Sequence, residues 1–134
     1  MHRKWAWQQR WAWVLVALSG FGVVVAGAFG AHALSGSLSS RYLAVFETGV
    51  RYQMWHTLAA LAVLVWQSHR PLRGQSLAVT LWLVGIVAFS GSLYLLTLSG
   101  LKPVGIVTPF GGLLLMAGWL ALAWSAWRQR PVAG

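Results

Sequence analysis

The chain has no cysteine and a single acidic residue, Glu47, in 134 residues. The first absence excludes disulfides, thiol redox chemistry and Cys-ligated metal sites. The second excludes a paired-carboxylate acid–base centre built from this chain alone. Charge of either sign is scarce: 8% of residues are Asp, Glu, Lys or Arg, against about 25% in soluble domains. A water-soluble fold of this composition would have no polar coat. Recognisable catalytic patterns are missing too: no Gly-x-Ser-x-Gly elbow, no phosphate-cradling glycine loop, no HExxH and no CxxCH. The chain is not expected to be an enzyme.

What is present is apolar. Hydrophobic residues make up 58% of the chain and the mean hydropathy is +0.66. The charges fall between four long apolar stretches and hardly ever inside one. An ion at the centre of a membrane-spanning helix costs about 2.5–3.5 kcal/mol on insertion scales. The pattern therefore predicts an all-α integral membrane four-helix bundle. Residues 1–134 form one domain, with spans at about 11–33, 52–67, 76–98 and 109–127.

The net charge of +9 raises the question of nucleic acid. The cations, however, stand singly or in pairs at span ends rather than along one face. They read as orientation signals and lipid-phosphate contacts, with the bilayer as the expected partner and no nucleic acid.

The first span, from about Trp11 to Ala33, imitates a secretory signal with its basic start and small-x-small triplets. Its apolar run is longer than a signal core and contains His32, so it is expected to be retained. A loop from Leu34 to Ser40 leads to the amphipathic stretch Arg41 to Arg51. This stretch is expected either in the membrane interface or as an outward extension of the second helix. His69, Arg70, Pro71 and Arg73 stop the second span. Ser99-Gly100 and Lys102-Pro103 end the third. Thr108-Pro109 reads as a helix start, an N-cap hydroxyl followed by proline.

Orientation follows from counting basic residues. With both termini in the cytoplasm, Arg3, Lys4, Arg10, Arg70, Arg73, Arg128 and Arg130 lie inside, and Arg41, Arg51 and Lys102 outside. Most tryptophans, among them Trp5, Trp82, Trp119, Trp124 and Trp127, then fall toward the inner interface. Tyr42, Tyr52 and Tyr94 fall toward the outer one.

Polar residues near the spans collect in the outer half. His32, Glu47, Arg51, Tyr52, Gln53, His56, Ser90 and Tyr94 form the candidate polar pocket. Intramembrane ionisable groups are expensive and by default point to function. Glu47 and Arg51 are four apart and can neutralise each other. His32 and His56 stand near the outer ends of the first two helices, where they could meet at similar depth. The pair admits three readings. It could bond neighbouring hydroxyls or carbonyls across helices. It could shape a pocket for a quinone, lipid headgroup or proton path. It could ligate haem or a metal. No third ligand is evident, so no metal and no resident cofactor are expected, with haem or quinone as the alternatives. Small residues at Gly27, Gly30, Ala31, Gly91, Gly111 and Gly112 are expected to let helices approach closely.

Two motifs and two shorter ones carry a family resemblance. Gly27-Ala28-Phe29-Gly30-Ala31-His32-Ala33-Leu34 and Phe46-Glu47-Thr48-Gly49-Val50-Arg51-Tyr52-Gln53-Met54-Trp55-His56-Thr57-Leu58-Ala59 resemble the YgdD/YwdK-like family of small membrane proteins. Phe89-Ser90-Gly91-Ser92-Leu93-Tyr94 and Val107-Thr108-Pro109-Phe110-Gly111-Gly112 are similar to its third- and fourth-span signatures. The resemblance implies a multi-span protein of the bacterial inner membrane, with mitochondrial relatives and no assigned activity. It also implies that Gly30, His32, Glu47, Tyr52, Gln53, His56, Ser90, Gly91, Tyr94, Thr108, Pro109 and Gly112 are signature positions.

Two functions remain in view. The first is a non-catalytic packing or accessory subunit of a larger membrane assembly or a homo-oligomer. The alternative is a ligand-binding or carrier protein whose outer-leaflet pocket surrounds His32 and His56.

Overall fold

An apolar run in lipid must satisfy its own backbone, and a helix does so within one segment. The computed structural model describes residues 7–129 and contains four α-helices: α1 Trp7–Phe29, α2 Ser40–His69, α3 Gln75–Ser99 and α4 Val107–Trp127. Arg3, Lys4, Trp5 and Arg130, invoked above, lie outside the described residues. No strand occurs among those described.

Successive helices run antiparallel, as their facing residues establish. Ser19 meets Thr57 and Gly30 meets Phe46 across α1 and α2; Gly49 meets Tyr94 across α2 and α3. Gly85 meets Leu115 across α3 and α4. α2 and α3 form the centre, with α1 against α2 on one side and α4 against α3 on the other.

Three stretches are long and apolar enough to cross a membrane: Gln9–Leu34, Gln75–Ser99 and Lys102–Trp127. The remaining helix, α2, is the longest at 30 residues, about 45 Å at 1.5 Å per residue. Its hydropathy is reduced by Gln53, His56 and Thr57, all of which are buried within the bundle. Inward placement of the polar groups is the condition for a polar helix to sit in lipid.

The helix ends have local causes. Ser39 caps α2, its Oγ accepting from the Tyr42 amide at 3.2 Å. The amphipathic stretch Arg41 to Arg51 is therefore continuous with α2, the second of the two arrangements expected. α1 runs on into a five-residue π turn, Gly30–Leu34. Gly74 takes a left-handed φ of 97° before α3. Gln75 closes this turn: its Oε1 accepts from the Leu72 amide and its Nε2 donates to the Arg70 carbonyl.

Thr108 is not an N-cap. A 3-10 turn, Lys102–Ile106, with Pro103 in its first positions, feeds directly into α4. Helical geometry is therefore established before Thr108, whose hydroxyl instead bonds Ser92 at 2.6 Å. Pro109 still falls in the first turn of α4, where a missing N–H costs least.

The bundle interior divides along its length. Toward the end where α1 begins and α4 finishes, Val16, Ala60, Val63, Leu64, Val79, Trp82, Ile86 and Leu115 form an apolar core. Toward the opposite end, Gln53, Ser90, Ser92 and Thr97 are buried beside Phe46 and Leu93. Trp82 belongs to the core and not to an interfacial belt. It has no exposed surface, its Nε1–H donates to the Leu115 carbonyl, and its ring lies against Gly118. Trp124 and Trp127 do lie exposed near the end of α4, and Arg128 sits 5.1 Å over the Trp124 ring.

Candidate functional site

On α2, residues three and four apart share one face, which turns Gln53, His56 and Thr57 inward together. Gln53 ties three helices. Its Nε2 donates to the Ser19 carbonyl on α1 at 3.0 Å, and its Oε1 accepts from the Tyr94 hydroxyl on α3 at 2.6 Å. A carbonyl can only accept, so Ser19 fixes which way the amide points. The Ser19 and Thr57 hydroxyls then share a bond of 2.7 Å. A polar chain thus runs from Tyr94 through Gln53 and Ser19 to Thr57. Beside it, the fully buried Ser90 donates to the Gly49 carbonyl at 2.6 Å, joining α3 to the α2 backbone.

His56 has both ring nitrogens engaged. Nδ1 lies 2.7 Å from the Tyr52 carbonyl, and Nε2 lies 3.0 Å from the Trp119 indole nitrogen. The carbonyl only accepts and the indole N–H only donates, so the ring is the neutral tautomer with its proton on Nδ1. Tyr52 stacks on it, with ring centroids 6.1 Å apart at 11°, and Trp82 and Trp119 meet it edge-on. Trp119 is therefore a bundle contact as well as a lipid-facing residue.

The two histidines are not neighbours. His32 is exposed in the π turn, level with the part of α2 near Phe46, which meets Gly30. His56 is ten residues beyond Phe46, about 15 Å along the axis. The expectation of similar depth assumed that α2 begins near Tyr52. Because it begins at Ser40, His56 lies mid-helix. Among the described residues, no three His or acidic side chains converge as a metal would need.

Glu47 and Arg51 form an ion pair at 3.8 Å, both about half exposed. They border a groove of about 190 Å³ floored by Gly27, Gly30, Ala31 and Phe46. The predicted residues thus separate into two groups. Gln53, His56, Ser90 and Tyr94 enter the interior network, with Tyr52 stacked at its edge. His32, Glu47 and Arg51 stay at the periphery.

The small residues separate likewise. A Cβ on Gly111 would collide with the Phe89 backbone, and one on Gly30 would meet the Phe46 ring at 3.0 Å. Gly27 and Gly112 have ordinary clearance, while nothing lies within 4 Å of a Cβ on Gly91. Gly91 is not a packing glycine; it points away from both neighbouring helices. Sequence reasoning missed Ser19, Thr57 and Trp119 as network members and Gly49 as a close-approach site. Ser19 had a readable signal, a hydroxyl in the middle of an otherwise apolar span.

Comparison with known proteins places the chain among membrane proteins. The family described as "Protein of unknown function (DUF423)" matches residues 26–112, the region holding most of the network. A UPF0382 membrane protein of Haemophilus influenzae is 43% identical over 118 residues, covering 88% of this chain and 94% of the relative. UPF0382 membrane protein SH2409 of Staphylococcus haemolyticus is 43% identical over 86% of this chain and 93% of its own length. The UPF0382 inner membrane protein YgdD of Escherichia coli K12 is 38% identical, over 90% and 92% respectively. No solved structure matches the chain significantly. With three membrane-crossing stretches and these relatives, the chain is a multi-pass protein of the bacterial inner membrane. It belongs to the DUF423 family and is related to the UPF0382 membrane proteins.

Proposed function

We propose that this protein is a non-catalytic accessory subunit: a small, internally braced membrane element that packs beside a larger assembly or beside copies of itself. The observation that carries this reading is the commitment of the interior polar groups to one another. Gln53 uses both ends of its amide and His56 both ring nitrogens, and each bond joins helices or fixes a side chain against its own helix. Such bonds brace a bundle that lacks a hydrophobic driving force between its helices. The two flanking helices supply the lateral surfaces. α1 presents Phe21, Val24 and Val25 outward, and α4 presents Phe110, Met116 and Leu120. Both termini lie in the cytoplasm in this reading, from the excess of Arg and Lys at that end.

Extraction of native membranes into lipid nanodiscs, followed by size separation without crosslinking, tests the proposal. The account expects the chain in a reproducible stoichiometric complex, with itself or with one defined membrane protein. Recovery solely as a lone 14.6 kDa chain overturns it.

A further inference from the structure

α1 and α3 touch only slightly, and the space between them is a groove open along its side. Two adjoining cavities make it up, of about 680 and 520 Å³, sharing Leu15, Leu83 and Val84 as a common wall. Its two ends differ in chemistry. The mouth, at the end where α1 begins, carries Gln9, Gln67, Ser76 and Thr80. Beyond it the walls are Leu15, Leu18, Val84, Ile86 and Val87, until Ser19 and the Gln53 amide close the far end.

Two exposed cations lie at the same end of the bundle as the mouth: in the α2–α3 connection, Arg70 follows the lining residue Gln67 by three positions and Arg73 precedes the lining residue Ser76 by three. Glu47, the single acidic side chain, lies at the other end. An amphipathic groove with a polar, electropositive mouth at the membrane surface matches one kind of bilayer component. We propose that the α1–α3 groove is a binding site for an anionic phospholipid, its phosphate at the Gln9–Gln67–Ser76 mouth and one acyl chain along Leu15, Leu83 and Val84. Two cations near an anionic headgroup favour it over a zwitterionic lipid by at least about tenfold.

The test reconstitutes the full chain into vesicles of equal phosphatidylglycerol and phosphatidylcholine, extracts it in mild detergent and reads retained lipid by native mass spectrometry. One phosphatidylglycerol per chain, retained about tenfold over phosphatidylcholine, is expected. Val84→Trp fills the groove from a half-exposed position and should abolish retention. Leu113→Trp, exposed on α4, should leave it unchanged. Arg70→Gln with Arg73→Gln should erase the headgroup preference but not the groove. Equal retention of both lipids by the unaltered chain overturns the proposal, and that measurement needs no variant. So does undiminished phosphatidylglycerol on Val84→Trp, or a lipid-free dimer whose second copy fills the groove.

Discussion

The indole N–H of Trp119 donates to Nε2 of His56 at 3.0 Å, linking α4 to α2. These two helices otherwise have little backbone contact, since α3 stands between them. The bond also selects the imidazole tautomer, because it leaves only Nδ1 to donate to the Tyr52 carbonyl. A histidine that looks available from sequence is thus a bracing residue in the structure.

Double-mutant analysis of this pair is the first expectation. Trp119→Phe and His56→Phe should each destabilise the bundle, with a coupling of about 0.6 kcal/mol and no more than about 1.7 kcal/mol, the average and the maximum for interhelical hydrogen bonds in membranes. Reversible unfolding in mixed micelles gives the number. Strictly additive losses would mean that the bond contributes nothing.

Tyr94→Phe removes the donor to the Gln53 Oε1 and leaves a buried amide oxygen unsatisfied. The expected cost is about 1–3 kcal/mol. Ser90→Ala should cost less, about 1 kcal/mol or under, because the Gly49 carbonyl is a backbone acceptor inside a helix and keeps that role. Reversal of this order in the same unfolding assay would contradict the network as drawn.

Glycine substitutions separate packing from open positions. Gly111→Ala puts a methyl against the Phe89 backbone and should cost about 1–3 kcal/mol through overpacking. Gly91→Ala meets nothing and gains helix propensity of up to about 1 kcal/mol. Thermal unfolding in detergent should therefore shift in opposite directions. Equal losses at both positions would refute the α3–α4 interface.

The Glu47–Arg51 ion pair is exposed on both sides at 3.8 Å. Surface pairs of this kind contribute about 0–1 kcal/mol, so Glu47→Gln should leave stability nearly unchanged and insensitive to salt. A loss beyond about 1 kcal/mol would require a buried partner that the geometry does not give it.

Hydropathy made three helices and most of the fourth legible, because lipid forces ions to the rims whatever the fold. The polar residues of α2 were legible for the same reason: Gln53 and His56 are too costly in lipid to be incidental. Depth was not legible. The α2 extension from Ser40 carries Arg41, Glu47 and Arg51, which hydropathy alone assigns equally to an interface helix, and the error moved His56 to the helix end. Partner choice was not legible either. Gly91 and Gly111 look alike in sequence, and only the rotation of α3 against α4 separates them. Trp82 reads as a belt residue until Gly118 is seen making room for its ring.

The central claim is that α2 lies in hydrocarbon with its polar face turned inward, and the absence of cysteine makes it directly measurable. Single cysteines at Gly36, Met54, Leu58 and Gly100 in the otherwise cysteine-free chain can be challenged with a membrane-impermeant maleimide in intact vesicles. Gly36 and Gly100 lie beyond the helix ends, and Met54 and Leu58 lie on the outward face of α2. The account predicts rapid labelling at the first two from the same side of the bilayer and none at Met54 or Leu58. Labelling at Met54 as fast as at Gly36 would contradict it.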